Sequence, residues 1–227
     1  MIRKIGLEEH FAVTETLNDS KQFMPETVWP TLRERLLDIH GQRIAQMDKY
    51  GIDMMILSLN APTVQAIPDV QRAIEISRRA NDFLAEQVSR RPDRFAAFAA
   101  LPMQDPEAAI QELTRCVKEL RFKGALVNGF SQIDRVDSSI YYDADRYWPF
   151  WEAVETLDVP FYLHPRDPLP SPQYEGHPWF MGPSWAFGAE TAIHALRLMA
   201  SGIFDKYPRL NIILGHLGEG LPYSMWR

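Results

Sequence analysis

The segment Val159-Pro160-Phe161-Tyr162-Leu163-His164 shows the pattern that decides the fold, because a short apolar run ends in a polar side chain that can bind metal. Five other short apolar runs resemble it, and the longer segments between them have the spacing of apolar residues that is typical of amphipathic helices. The six runs cover residues 4–10, 53–59, 94–101, 122–128, 159–164 and 210–216. Helices are predicted over about residues 29–50, 76–88, 105–120, 144–156 and 184–204.

Strands that alternate with helices predict parallel βαβ units, with strands buried on both faces. An open doubly wound sheet and a (β/α)8 barrel both fit this order. The glycine-rich turn that binds dinucleotides in the first architecture is missing after every predicted strand. Polar residues such as Asn60, Asn128, His164 and His216 end four different strands, and such a rim is typical of barrels. We therefore predict an α/β chain with one domain over residues 1–227, a TIM-like (β/α)8 barrel.

The predicted strand count is lower than a closed barrel needs. Such a barrel has eight strands and typically about 250 residues, whereas the six runs occupy a chain of 227 residues. The pattern therefore predicts a barrel that is truncated after about six βα units, without strands 7 and 8. Either the chain is a fragment or another chain completes the barrel.

The composition excludes several classes of partner. A net charge of −6 argues against a surface that follows nucleic-acid phosphates, and no apolar run approaches the roughly 18 residues that suggest a membrane span. The first eight residues turn acidic and contain no apolar stretch like that of a signal peptide. The single cysteine, Cys116, lies in an amphipathic segment and is predicted to be a small core residue. We expect a cytoplasmic protein without nucleic-acid or membrane partners.

The first predicted strand contains two candidate metal ligands. Side chains two residues apart in a strand share a face, so Glu8 and His10 point one way and Glu9 the other. If Gly6 lies on the inner face with Glu8 and His10, Leu7 faces the helices. Alone, this short motif is better explained by a surface carboxylate and a structural histidine than by a metal site.

His164 strengthens the metal interpretation because it ends the fifth predicted strand. In a barrel this position lies across the mouth from the first strand, on the same rim. One carboxylate and two imidazoles around one ion form a typical open catalytic site, which leaves a position for water or substrate. We predict that Glu8, His10 and His164 bind a divalent metal ion.

The segment Leu214-Gly215-His216-Leu217-Gly218-Glu219 follows the last predicted strand. His216 is a candidate fourth ligand, a proton-transfer group or a polar cap. Glu219 is placed to accept a hydrogen bond from the second ring nitrogen and to fix the tautomer. We favour proton transfer or orientation of a substrate over metal ligation.

These motifs together resemble the decarboxylase branch of the amidohydrolase superfamily, in which Glu-x-His replaces the usual His-x-His of the first strand. Longer runs across nearly the whole chain are similar to the γ-resorcylate (2,6-dihydroxybenzoate) decarboxylases in particular. Those runs are Leu7-Glu8-Glu9-His10-Phe11, Ile56-Leu57-Ser58-Leu59-Asn60-Ala61-Pro62, Gly124-Ala125-Leu126-Val127-Asn128-Gly129-Phe130, residues 159–166, Gly176-His177-Pro178-Trp179 and residues 210–216.

The resemblance implies metal-dependent, non-oxidative decarboxylation of a hydroxybenzoic acid, here 2,6-dihydroxybenzoate to resorcinol and carbon dioxide. It also implies a zinc or manganese ion, no organic cofactor, a small aromatic acid as substrate and a homotetramer. The implied residues are Glu8, His10 and His164 for the metal, the catalytic pair His216 and Glu219, and Phe23, Phe187 and Arg227 for the substrate.

The sequence departs from this family in one respect. The family has an aspartate after strand 8 that binds the metal and delivers a proton, and no residue of this sequence matches it. Two alternatives to the decarboxylase therefore stay open. One is a metal-dependent hydrolase of the same superfamily, and the other is an inactive fragment.

Overall fold

The computed structural model describes residues 3–226, apart from the side chain of Phe23. Strands and helices alternate along most of this range, as the sequence pattern predicts. The strands are β1 Ile5–Phe11, β2 Met54–Leu59, β3 Phe95–Ala97, β4 Ala125–Asn128, β5 Ser131–Ile133, β6 Arg135–Ile140, β7 Phe161–His164 and β8 Ile212–Leu214. The helices are α1 Trp29–Leu37, α2 Gln42–Tyr50, α3 Val70–Arg90, α4 Pro106–Lys118, α5 Trp148–Leu157, α6 Ala186–Ala200, α7 Ile203–Lys206 and α8 Leu221–Ser224.

Six of the strands form two parallel sheets, in the orders β1-β2-β3 and β4-β7-β8. A parallel bridge between Ala99 and Ala125 joins the two sheets, and Leu126 N donates to Ala99 O at 3.0 Å. The six predicted parallel strands are therefore confirmed in their order along the chain. The α/β class is confirmed with them.

The two faces of these sheets are buried in different ways. One face packs against the helices and contributes to a large core. The other face carries a smaller apolar cluster with one side chain from each of five neighbouring strands or strand ends. Its members are Phe98, Leu126, Tyr162, Ile56 and Ile213. We call these five residues the inner cluster.

The prediction that Gly6 shares a face with Glu8 is wrong. Gly6 pairs with Met55 and Glu9 with Leu57, so the register of β1 on β2 shifts between Gly6 and Glu9. Since Met55 and Leu57 are two residues apart, Gly6 and Glu9 lie on the same helix-facing side. Such a bulge inserts an extra residue and re-aims the side chains beyond it.

The single helix predicted over residues 29–50 is two helices, α1 and α2. Asp38 ends the first and starts the second, because its carboxylate accepts from Gly41 N at 2.9 Å and Arg43 N at 2.8 Å. An aspartate that satisfies these free backbone donors favours a new helix start over continuation. The apolar period continues through the break, which is why periodicity alone did not reveal it.

The antiparallel hairpin of β5 and β6 was not predicted. Its sequence has no apolar run, and β6 is largely exposed, with Val136 72% accessible. None of the described helices is both long and apolar enough to cross a membrane.

Candidate metal centre

The carboxyl ends of β1 and β7 bring Glu8, His10 and His164 together. Potential ligand atoms of these residues all lie within 4.8 Å of one another. His10 Nε2 is 3.1 Å from His164 Nε2, and His164 Nε2 is 3.3 Å from Glu8 Oε1. The predicted approach of the three side chains from distant parts of the chain is confirmed.

The separations of 3.1 Å and 3.3 Å fit a shared metal ion. Ligand atoms about 2.0–2.2 Å from zinc are about 3.0–3.5 Å apart in usual coordination geometries. Burial, together with the nearby charge of His164, lowers the pKa of His10 to about 3, so its imidazole is neutral as a ligand must be. His10 Nδ1 lies 3.2 Å from Ser58 Oγ. With the proton on Nδ1 donated to Ser58, the Nε2 lone pair faces the other two groups.

Glu8 is the centre of the hydrogen-bond network at this site. The hydroxyl of Tyr162 donates to Glu8 Oε2, and His216 Nε2 lies 2.9 Å from Glu8 Oε1. Burial raises the pKa of Glu8, but the hydrogen bonds from His164, His216 and Tyr162 outweigh it and hold the pKa well below its usual range. Glu8 is therefore an anion, the form that binds a metal cation.

His216 lies in a tight turn after β8. His216, Leu217 and Glu219 have positive φ angles of 47°, 59° and 52°, which are uncommon for residues other than glycine. Gly215 lets this turn approach β7, because a Cβ there would lie 2.4 Å from Pro165 Cδ. Consecutive residues held in a sparsely populated conformation indicate that the surroundings fix this turn.

The predicted pairing of His216 with Glu219 is confirmed, with Nδ1 2.8 Å from Glu219 Oε1. Since Nε2 faces Glu8, the imidazole lies between two carboxylates. The hydrogen bond to Glu8 raises the pKa of His216, partly opposed by burial, and Glu219 adds to the rise. The group of three potential metal ligands does not include His216.

Of the three predicted substrate residues, the structure places Phe187 beside the site. Phe187 is 9% exposed at the start of α6, and its ring centroid lies 6.0 Å from that of His216. The side chain of Phe23 and the whole of Arg227 lie outside the described residues. Their roles remain predictions.

Sequence reasoning missed Tyr162 and Ser58, which form hydrogen bonds with the side chains of the predicted ligands Glu8 and His10. Tyr162 precedes His164 by two residues and so shares its face of β7. Ser58 is fully buried and pairs with His10 in the parallel register of β1 and β2. For both residues, the available signal was a polar side chain within an apolar strand, on the strand face that also carries or pairs with a predicted ligand.

The chain is similar to a known protein family and to several decarboxylases. A family model described as amidohydrolase matches residues 10–227. The γ-resorcylate decarboxylase of Polaromonas sp. strain JS666 is 69% identical over 99% of this chain and 69% of its own length. That of Rhodococcus jostii strain RHA1 is 64% identical over 99% of this chain and 70% of its own.

Solved structures agree with the sequence matches. A 2,6-dihydroxybenzoate decarboxylase in complex with 2,6-dihydroxybenzoate superimposes with a TM-score of 0.98 at 66% identity, covering 100% of this chain and 71% of that one. The dihydroxybenzoic acid decarboxylase of Polaromonas sp. JS666, with bound manganese and the inhibitor 2-nitroresorcinol, gives 0.97 at 68%, covering 100% and 69%. On this sequence identity, structural match and coverage, the chain belongs to the amidohydrolase family and, within it, to the γ-resorcylate decarboxylases.

Proposed function

We propose that this protein catalyses the metal-dependent, non-oxidative decarboxylation of 2,6-dihydroxybenzoate to resorcinol and carbon dioxide. The observation that supports this most directly is the convergence of Glu8, His10 and His164 in a chain that belongs to a family of decarboxylases. These three side chains would hold the ion, manganese or zinc. Manganese is the ion bound in the related Polaromonas structure.

The bound ion would supply positive charge to orient an ortho-hydroxybenzoate and to stabilise the charge that develops on it. Decarboxylation requires a proton on the ring carbon that bears the carboxylate. The carbon–carboxylate bond then breaks, its electrons restore the aromatic ring, and carbon dioxide leaves. The net change is the replacement of the carboxylate by a hydrogen atom, so no oxidant or organic cofactor is needed.

We assign the catalytic pair to His216 and Glu219. Glu219 fixes the ring of His216 from one side, and Nε2 reaches the Glu8 carboxylate at the metal site. The imidazole is therefore held where it can orient an aromatic acid or move a proton at Nε2. Phe187, next to the same ring, would pack against the substrate, with Phe23 and Arg227 proposed as further contacts.

We further propose that the chain forms a single domain of (β/α)8-barrel type, to which the six parallel strands belong. The support is the curvature of the joined sheets. Glu8 on the first strand bonds to Tyr162 on β7 and lies close to His216 after β8, so the strand array turns back towards its start. The continuous core, from Phe11 to Leu210, supports one domain.

A cytoplasmic homo-oligomer, of tetrameric form by family resemblance, completes the proposal. Ile193, Leu196 and Met199 project from one side of α6 and are 50%, 49% and 42% exposed. An apolar stripe of this kind is typical of a subunit contact. Sedimentation equilibrium of the purified protein tests the tetramer through its mass.

The test of function uses protein expressed from its complete reading frame and loaded with manganese. We expect carboxyl-labelled 2,6-dihydroxybenzoate to give labelled carbon dioxide and an equal amount of resorcinol. In deuterated water the resorcinol should carry deuterium at the carbon that lost the carboxylate. Release of an acid or amine from ester or amide substrates, without carbon dioxide from the hydroxybenzoate, would indicate a hydrolase instead.

A variant pair connects this activity to the site. Glu8→Ala should lose metal retention and turnover together, because removal of a ligand removes both charge and geometry. Glu86→Ala is the matched control, since Glu86 forms an exposed ion pair with Arg90 on α3. Full metal retention and normal turnover in Glu8→Ala would contradict the assignment of Glu8.

A further inference from the structure

The side chain of Asn128 has no role in the metal centre described above, yet it lies beside it. Asn128 ends β4 and pairs with His164 in the parallel register of β4 and β7. Two residues earlier, Leu126 pairs with Tyr162, and both belong to the inner cluster. Because paired residues of parallel strands share a face, Asn128 lies on the same face and at the same level as His164.

The orientation of the Asn128 amide is fixed by its neighbours. Nδ2 donates to Asn60 O at 3.2 Å and to Pro62 O at 3.5 Å. Both partners are carbonyl oxygens, which only the NH2 end of the amide can contact. The backbone N of Asn128 donates to Gln65 Oε1 at 3.2 Å. Hydrogen bonds therefore hold both the backbone of Asn128 and its side-chain NH2 group.

The carbonyl oxygen of the Asn128 side chain, Oδ1, is not paired in the same way. Asn128 is 2% exposed, and its Oδ1 has no hydrogen-bond partner among residues 3–226. A buried acceptor without a partner costs free energy, and the great majority of such groups in native proteins are paired. Asn60 provides a contrast, because its Oδ1 accepts from Thr16 Oγ1 at 2.9 Å and its Nδ2 donates to Thr16 O at 2.9 Å.

We propose that Asn128 Oδ1 accepts a hydrogen bond from a hydroxyl group of the substrate, and that Asn128 thereby determines the specificity of the site for dihydroxylated aromatic acids. This inference rests on the proposed function. A carbonyl oxygen attracts an O–H donor and repels a carboxylate, so it also favours one orientation of the ring. The hydroxyl group that Asn128 recognises is the one that does not contact the metal.

Asn128 should therefore favour ligands that carry the second hydroxyl group over ligands that lack it. A substrate with the second hydroxyl satisfies Oδ1, whereas an analogue without it leaves the buried acceptor unpaired. Discrimination between the two ligands is therefore expected to be roughly tenfold or more. A residue with only a structural role would affect both ligands equally.

The test compares the equilibrium binding of two unreactive probes, 2-nitroresorcinol and 2-nitrophenol, which differ by one hydroxyl group. Dissociation constants are measured by calorimetry on the manganese-loaded protein. We expect the wild type to bind 2-nitroresorcinol at least about tenfold more tightly. Asn128→Ser, which moves the oxygen away, and Asn128→Leu, which removes it, should both bring the ratio close to one.

Asn60→Ser is the matched control, because it makes the same substitution at a neighbouring buried asparagine whose amide is already paired. Its preference should equal that of the wild type, even if both affinities fall. Retention of the preference in both folded Asn128 variants, or its loss in the control as well, would overturn the role of Asn128. If the wild type binds neither probe, the proposed function itself fails, and the role of Asn128 fails with it.

Discussion

Removal of the Tyr162 hydroxyl tests how the site keeps Glu8 ready to bind a metal. In Tyr162→Phe the ring still packs against Phe98, with centroids 6.0 Å apart, but Glu8 Oε2 loses its hydroxyl donor. A hydrogen bond to a charged group contributes about 1.5–3 kcal/mol. Loss of a group that orients a ligand typically weakens metal binding about 10- to 100-fold, which agrees with that energy. We expect a decrease of this size in the affinity for manganese.

The assay is calorimetric titration of chelator-treated protein with manganese chloride. Tyr142→Phe is the matched control, because its buried hydroxyl lies 2.8 Å from Ser131 Oγ and makes no contact with Glu8. The control should lose some stability but keep the manganese affinity of the wild type. Wild-type affinity in Tyr162→Phe would refute this reasoning, as would an equal loss in both variants.

Two further predictions concern stability. Asp38→Ala removes the acceptor for Gly41 N and Arg43 N at the start of α2, so the free energy of unfolding in urea should fall by about 1 kcal/mol; an unchanged value would exclude a capping role. Burial, assisted by the charge of Arg197, lowers the pKa of His194 to about 3. Below its ordinary pKa of 6.5 only the unfolded state gains this proton, so stability is lost as pH falls from 6.5 towards 3. In the wild type the free energy of unfolding should fall by about 1.4 kcal/mol for each pH unit in that window, and His194→Gln should abolish this decrease. Identical pH profiles of the two proteins in urea unfolding would contradict the prediction.

The sequence was sufficient for those features that depend on the position of a residue in a strand. Glu8, His10 and His164 could be placed together because the carboxyl ends of parallel strands share one edge. The contact of His216 with Glu219 followed from their spacing in a short turn. These rules depend on the local sequence, and the fold brings the residues that they identify together in one site.

Other features depend on contacts between segments that are distant in the sequence. The bulge that moves Gly6 to the side of Glu9 follows from the register of β1 on β2, which the alternation of side chains does not encode. The hydroxyl of Tyr162 reaches Glu8 across 154 residues of sequence. The break between α1 and α2 is local, but the capping by Asp38 competes with an apolar period that continues through it.

The most direct test of the central claim measures whether Glu8, His10 and His164 hold a divalent ion. Wild type, His164→Ala and the control His40→Ala are incubated with manganese, dialysed, and analysed for bound metal by mass spectrometry. His40 is a suitable control, because it contacts Gln87 at 3.2 Å and the Phe95 ring, away from the site. We predict that wild type and His40→Ala retain manganese and that His164→Ala does not. Equal retention by all three proteins would contradict the account.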